Sequence, residues 1–406
     1  MFNFDLFNRV VGPAYLSGAK EAVNDAQQRN YRSLGYLMRG QQMSRVLQGG
    51  KNLQDYIYLS ANPRSRMYLP GISQQTYADP QPGVMMTQNW RFMLTHDIVR
   101  DEELDLSAGP EMSEEARFQR IKDILWTKRQ DRATDVANFF ENKMWAPPNT
   151  TTMEGSSVST TEFMSIPGII NEAGIGGASG TTKVGQLQVN DVAATAWSTI
   201  QGIDPTVSGQ ANWANQCFGY GNTAGSGFLT TSLENVISTF DLAFDKLDFE
   251  PPPMDKEYFE NPAAVQKPRP WIAASAIGKQ KLIQLYRLSN NRWEDMTDPW
   301  MQPTYNGYSV VYIPALDSGK FYYGTAGGQS GVLVSEASAA DTGPRYYLIN
   351  PEYLTFVWNA SAYLTPIDVG RSQNYPTAKV TPYKTYGNLW ARSRIRHGLV
   401  YPLDDY

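Results

Sequence analysis

Two histidines, His96 and His397, and one cysteine, Cys217, are all the imidazole and thiol groups in this 406-residue chain. A zinc centre built from His and Cys needs more donors than that. A serine nucleophile would depend on one of the two histidines as its base. His96 lies beside Asp97 in a loop region, and His397 follows Arg396 in an expected strand, so both read as structural residues. Cys217, between Gln216 and Phe218, reads as a small buried hydrophobe. There is no nucleophile elbow, phosphate-loop lysine motif, zincin helix or calcium loop. The nearest glycine loop, GIGGASG at 174–180, has Ser179 where a dinucleotide fingerprint needs its third glycine, and it reads as a turn.

Two charged groups are left. Asp101, Glu102, Glu103 and Asp105 form the densest acidic stretch, which reads as a solvated face or one that pairs between subunits. In WARSRIRH, residues 390–397, an extended chain would place Arg392, Arg394 and Arg396 on one face. Three guanidiniums in a row repel unless carboxylates or phosphates meet them. Acids on a long helix, acids on a neighbouring subunit and nucleic-acid phosphates all satisfy that requirement. No cofactor is expected.

The composition removes further classes. Lys and Arg number 35 against 40 Asp and Glu, a formal charge of −5, which argues against general nucleic-acid wrapping. Charged residues are 18% of the chain, below the roughly 25% of an average soluble protein. With 33 Gly and 25 Pro, the chain stays well under the ~25–30% of low-complexity sequence. Its length allows a sizeable core. No apolar run approaches the ~20 residues of a membrane span, and MFNFDLFNRV has no secretory character. A folded protein made in a reducing compartment is expected.

Several elements must carry these residues. Leu16, Ala19, Val23 and Ala26 recur at helical spacing within 14–48, predicting a weakly amphipathic arm stopped by Gly49 and Gly50. Turn signals at Asn62-Pro63, Pro70-Gly71 and Pro80 to Gly83 separate extended pieces, which predicts a long hairpin-type loop. The longest element is a helix over 113–145, which Ser113 can cap and Pro147-Pro148 must end. Phe118, Ile121, Leu125, Val136, Phe140 and Met144 keep one face, and basic sequence around Lys128, Arg129 and Arg132 interrupts it. At ~1.5 Å per residue it would reach about 50 Å, too long for one compact layer. A helix at 232–247, a buried strand at Trp271–Ala274 feeding a helix around Lys279 to Leu288, a strand at Tyr308–Pro314 and a strand-rich tail from Tyr346 to Tyr401 complete an α+β chain. Arm, loop and long helix lack partners within one chain, so association with further copies is expected.

In this order the segments WRFMLTHDIVRDEELDL (90–106), ENKMWAPPN (141–149), SIPGIINE (165–172), TYNGYSVVYIPALD (304–317), YYLINPEYL (346–354) and NLWARSRIRHGLVYP (388–402) resemble major capsid proteins of tailed double-stranded DNA bacteriophages, of the Hong Kong 97 fold. The likeness runs from about Val84 to the C terminus, and residues 1–83 share only its character. It implies an N-terminal arm at 1–50, an extended loop at 51–105 and a peripheral domain at 106–230 with spine helix 113–145. An axial domain at 231–345 and C-terminal strands at 346–406 returning to the peripheral domain would follow. It further implies self-assembly as hexamers and pentamers into an icosahedral head, with no active site. Portal protein, scaffolding and decoration proteins where used, and non-specifically held packaged DNA are the implied partners. The implied location is the virion, assembled in the host cytoplasm. Interface or DNA-proximal positions implied on this reading are Arg392, Arg394, Arg396, Asp101, Glu102, Glu103, Lys128, Arg129 and Arg132. Lys51 shows no pattern for covalent cross-linking, so non-covalent stabilisation is expected, with any scaffold as a separate protein. The rival readings are an encapsulin-type compartment shell and a β-rich carbohydrate-active enzyme or adhesin.

Overall fold

A computed structural model describes residues 44–47, 50–59, 83–100, 127–128, 131–132, 134–146, 162–170, 200–204, 207, 209–220, 233–247, 271–290, 304–305, 308–317, 321–325, 328–334, 344–351, 353–362, 365–367 and 378–402. In chain order the strands are β1 (Ser44–Leu47), β2 (Asn52–Ile57), β3 (Val84–Asn89), β4 (Arg91–Arg100), β5 (Gln216–Tyr220), β6 (Trp271–Ala274), β7 (Thr304–Tyr305) and β8 (Tyr308–Tyr312). They continue as β9 (Phe321–Thr325), β10 (Gly328–Val334), β11 (Tyr346–Ile349), β12 (Leu354–Asn359), β13 (Thr365–Pro366), β14 (Ala378–Ala391) and β15 (Gly398–Pro402). Helix α1 is helical at 127–128, 131–132 and 134–144. After it come α2 (Ile166–Ile169), α3 (Leu233–Leu247), α4 (Ala276–Asn290) and α5 (Pro314–Asp317).

Two sheets organise the chain. One has six strands in the order β5-β15-β11-β6-β8-β7. Its central strands are apolar throughout because both faces are covered. Alternation divides them: Ile272, Ala274, Tyr346 and Leu348 pack with Val236, Phe240, Phe244 and Leu247 of α3 and with Leu282 and Leu285 of α4. Trp271, Ala273, Tyr347 and Ile349 point the other way, into a core shared with α1, α2 and the second sheet.

The second sheet runs β1-β12-β14-β13, with β4 also paired to β14. Phe356, Trp358, Leu389 and Ala391 face the shared core. Val357 and Trp390 face away, onto Leu53, Met86, Trp90, Ile203 and Trp213. Phe140 of α1 fills the centre, its ring centroid 5.0 Å from Trp358, 5.2 Å from Phe163 and 5.5 Å from Phe356. Gly387 has to be glycine, because a Cβ there would come within 2.8 Å of both Phe356 and Trp358.

Two sequence expectations are corrected. Residues 44–47, expected to end a helical arm, form β1, paired in parallel with Phe356–Asn359 of β12. A weak apolar stripe cannot hold a helix against an open strand edge that offers a row of backbone partners. The strand expected to carry Arg392, Arg394 and Arg396 is a turn at 392–397 between β14 and β15. The arm residues before Ser44, the helix residues before Thr127, and GIGGASG lie outside the described residues.

Candidate functional site

The 392–397 turn separates the three arginines. Arg394 is completely buried, while Arg392 and Arg396 are half-buried on either side. A strand face would have presented all three together; the turn sends the middle one inward. Arg394 Nε donates to the Ile169 carbonyl at 2.8 Å, and Nη2 donates to Asn215 Oδ1 at 2.9 Å. The Ile169 carbonyl is available because α2 stops there, leaving its last carbonyls without helical partners. The start of α2 is set locally: Ser165 Oγ accepts the Gly168 N–H at 3.2 Å, with proline in the first turn.

No carboxylate among the described residues bonds Arg394. Burial pushes its pKa down to about 9, opposed by the nearby Cys217 thiol. Cys217 lies buried in β5, and its Sγ accepts from Asn215 Nδ2 at 3.4 Å. His397 is also fully buried; Nδ1 accepts the Asn350 N–H at 3.2 Å. Burial first, and the Arg394 charge to a lesser degree, bring its pKa down to about 3 against the raising effect of the Tyr353 backbone. The turn is thus a buried polar knot where β14 of one sheet passes into β15 of the other. Sequence reasoning missed it, because its partners stand 179 and 225 residues away.

Lys128 and Arg132 of α1 are also engaged within the chain. Lys128 Nζ donates to the Ile98 carbonyl at 2.6 Å. Arg132 forms an ion pair with Asp97, and its guanidinium stacks 3.7 Å over the Tyr383 ring. Asp97 and Tyr383 sit on β4 and β14, whose ten-residue register runs from Arg91↔Gly387 to Arg100↔Ala378. Arg129, Asp101, Glu102 and Glu103 lie outside the described residues.

On its other side this ribbon is open, with Phe92, Leu94 and Ile98 alternating along β4 on the same exposed face as His96 and Arg100. Phe92 and Leu94 are each 66% exposed and Ile98 is 41% exposed. Phe92 meets the Tyr386 ring edge-on at 4.6 Å. The β2–β3 hairpin carries a second open group, Tyr56, Tyr58 and Met85, with Tyr56 directly opposite Met85. The hairpin root is fixed: Trp90 Nε1 donates to the Gly50 carbonyl at 2.9 Å, and Asn212 Nδ2 to the Leu59 carbonyl at 2.7 Å. At Gly202 a Cβ would meet Thr87 Oγ1 at 2.7 Å, and its φ of +78° suits glycine. That permits the Thr87 N–H to reach the Gln201 carbonyl at 2.9 Å. Apolar residues on both phases of WRFMLTHDIVR were the sequence signal for this open face.

Among the described residues no group of three His, Cys, Asp or Glu side chains is placed to hold a metal ion. No helix among them is long and apolar enough to cross a membrane. What the geometry offers is surface for association.

Comparison with known proteins places the fold. No family model and no curated protein matches the chain. A chain of the cyanophage A-1(L) capsid asymmetric unit has a similar structure over 95% of this chain and 96% of that chain, with a TM-score of 0.51 at 12% identity. A Mycobacterium phage Ogopogo structure is similar over 94% of each chain, with a TM-score of 0.44 at 8% identity. The capsid of a native GTA particle gives 0.43 at 10% identity, over 94% of this chain and 95% of that chain. The first of these establishes a shared fold from end to end.

Proposed function

We propose that this chain is a major capsid protein of a tailed double-stranded DNA phage, a structural and non-enzymatic component of the virion. The observation that carries this reading is the likeness to the cyanophage capsid chain, which extends over nearly all of both molecules. The exposed side chains of Tyr56, Tyr58, Phe92 and Leu94 are a further support, since exposed apolar groups are the raw material of an interface.

On this reading, residues 1–50 are the N-terminal arm, 51–105 the extended loop, 106–230 the peripheral domain with spine helix 113–145, and 231–345 the axial domain. Residues 346–406 return as strands to the peripheral domain, in a Hong Kong 97-type plan. Hexamers and pentamers of this chain close an icosahedral head around DNA, joined by a portal and, where used, by scaffolding and decoration proteins. Assembly takes place in the host cytoplasm. Contact roles are proposed for Arg392, Arg396, Asp101, Glu102, Glu103, Lys128, Arg129 and Arg132, whereas Arg394 serves the interior.

Size-exclusion chromatography with light scattering, followed by negative-stain microscopy of the heaviest fraction, tests the proposal. Rings of five and six subunits or closed shells are expected. A folded monomer that never assembles, even beside the other head proteins, would defeat it. Double-stranded DNA in native particles is expected, whereas protein cargo without nucleic acid would move the reading to an encapsulin-type shell.

A further inference from the structure

His397 ties three strands together. Its Nδ1 accepts the Asn350 N–H at the end of β11, its carbonyl accepts the Gln216 N–H of β5 at 3.0 Å, and β15 begins at the next residue. Its own N–H donates to the Arg394 carbonyl at 3.0 Å, closing the turn. Because Nδ1 is the acceptor, the neutral ring carries its proton on Nε2.

Among the described residues, few charged or titratable groups stand near this turn. Arg394 comes from its own turn, with Arg392 and Arg396 half-buried beside it. Tyr353 comes from the β11–β12 connection, with Arg396 lying 5.4 Å over its ring. Cys217 comes from β5 with the neutral Asn215 and Gln216, and Lys246 of α3 is tied in only by its carbonyl, which accepts from Gln216 Nε2 at 3.4 Å. No carboxylate among the described residues bonds His397 or Arg394. Among the described residues a proton arriving here meets no counter-charge, and the Tyr353 backbone favours it less than burial opposes it.

We propose that the 394–397 turn is an acid-operated latch: a proton on His397 breaks its bond to Asn350 and sets a second cation beside Arg394, opening the β5–β15–β11 junction. The proton enters at Nδ1, which changes from acceptor to donor and then faces another N–H. The sign follows from linkage. The opened turn takes up a proton near the ordinary histidine pKa of about 6.5, while the closed turn refuses it until about 3. Stability from this residue is therefore complete above that ordinary pKa and is lost as the pH falls towards the folded value. Each pH unit in that window multiplies the open population by about ten. This inference concerns the chain alone and stands or falls independently of shell assembly.

With only two histidines, imidazole nuclear magnetic resonance on the full chain reads the latch directly. His397 is expected to stay neutral in the folded protein well below the pH at which an accessible histidine titrates. Hydrogen exchange, corrected for intrinsic rates, is expected to show opening of 214–220, 346–353 and 394–402 rising about a hundredfold over two pH units below ~6.5. His397→Asn, which retains an acceptor but cannot titrate there, is expected to remove that rise. A His397 signal titrating near 6.5 in the closed protein overturns the proposal. So does exchange in these segments that ignores pH, and so does an unchanged acid response in the variant. Should the variant fail to fold, the two measurements on the natural chain decide alone.

Discussion

The two ends of α1 are held by different forces. Towards its C-terminal end Val136, Phe140 and Met144 are buried in the aromatic core between the sheets. Around Lys128 and Arg132 the same helix is tied to the β4–β14 ribbon by a carbonyl contact, an ion pair and a stacked guanidinium. Close packing at the inner end punishes any change of volume. Charge and stacking at the outer end are individually weak and tolerate small displacements. The described turns of one helix therefore touch both a close-packed core and a ribbon whose hold can be adjusted by salt. Under the capsid reading, that ribbon is also where partners are met.

Substitutions at the two ends sharpen this contrast, and the largest effect belongs to the core. Phe140→Ala removes the ring that touches Phe163, Phe356 and Trp358, and should cost about 3–5 kcal/mol in urea unfolding of the unassembled chain. Gly387→Ala, on the sheet beneath, forces a methyl group against Phe356 and Trp358 and should cost about 1–3 kcal/mol. A cost for Gly387→Ala as small as that of a surface change would show the core to be looser than its distances say.

At the outer end, Arg132→Gln should cost only about 1 kcal/mol, summing a modest ion pair and a cation–π contact. That difference should shrink as salt is raised, whereas the Phe140→Ala cost should not. Equal salt dependence at the two ends would erase the distinction. Smallest on folding is Phe92→Ser combined with Leu94→Ser: within about 0.5 kcal/mol for the isolated chain. Their effect should appear in assembly, as fewer closed shells at a given protein concentration by light scattering. Unimpaired assembly would remove this face from the list of contacts.

Local pattern made much of the fold legible. Trp271-Ile272-Ala273-Ala274 is too short and too apolar for anything but a buried strand, and it is one. The stripe in SLENVISTFDLAFDKL identified the helix now seen as Leu233–Leu247. Pairing across the chain left no such mark. Ser44–Leu47 has a helical neighbourhood in sequence, but its partner lies at Phe356–Asn359. Alternating arginines imitate a strand, yet one guanidinium found Ile169 and Asn215 and bent the chain inward. Lys128 and Arg132 were legible as unusual charges on an apolar face; Asp97 and Tyr383 as their partners were not. Residue types announce which interactions are possible, and only the fold decides who supplies the other half.

The pairings of β1 with β12, β4 with β14 and β5 with β15 all join early chain to late chain. During synthesis the first half of the molecule emerges with strand edges whose mates have yet to be made. Loop-closure entropy must be met across long stretches of chain before either sheet is complete, which slows folding. The final strand, Gly398–Pro402, sits between β5 and β11 in the middle of its sheet. Emergence of Gly398–Pro402 thus acts as a clock: a nascent chain cannot close its six-stranded sheet until these residues have left the ribosome.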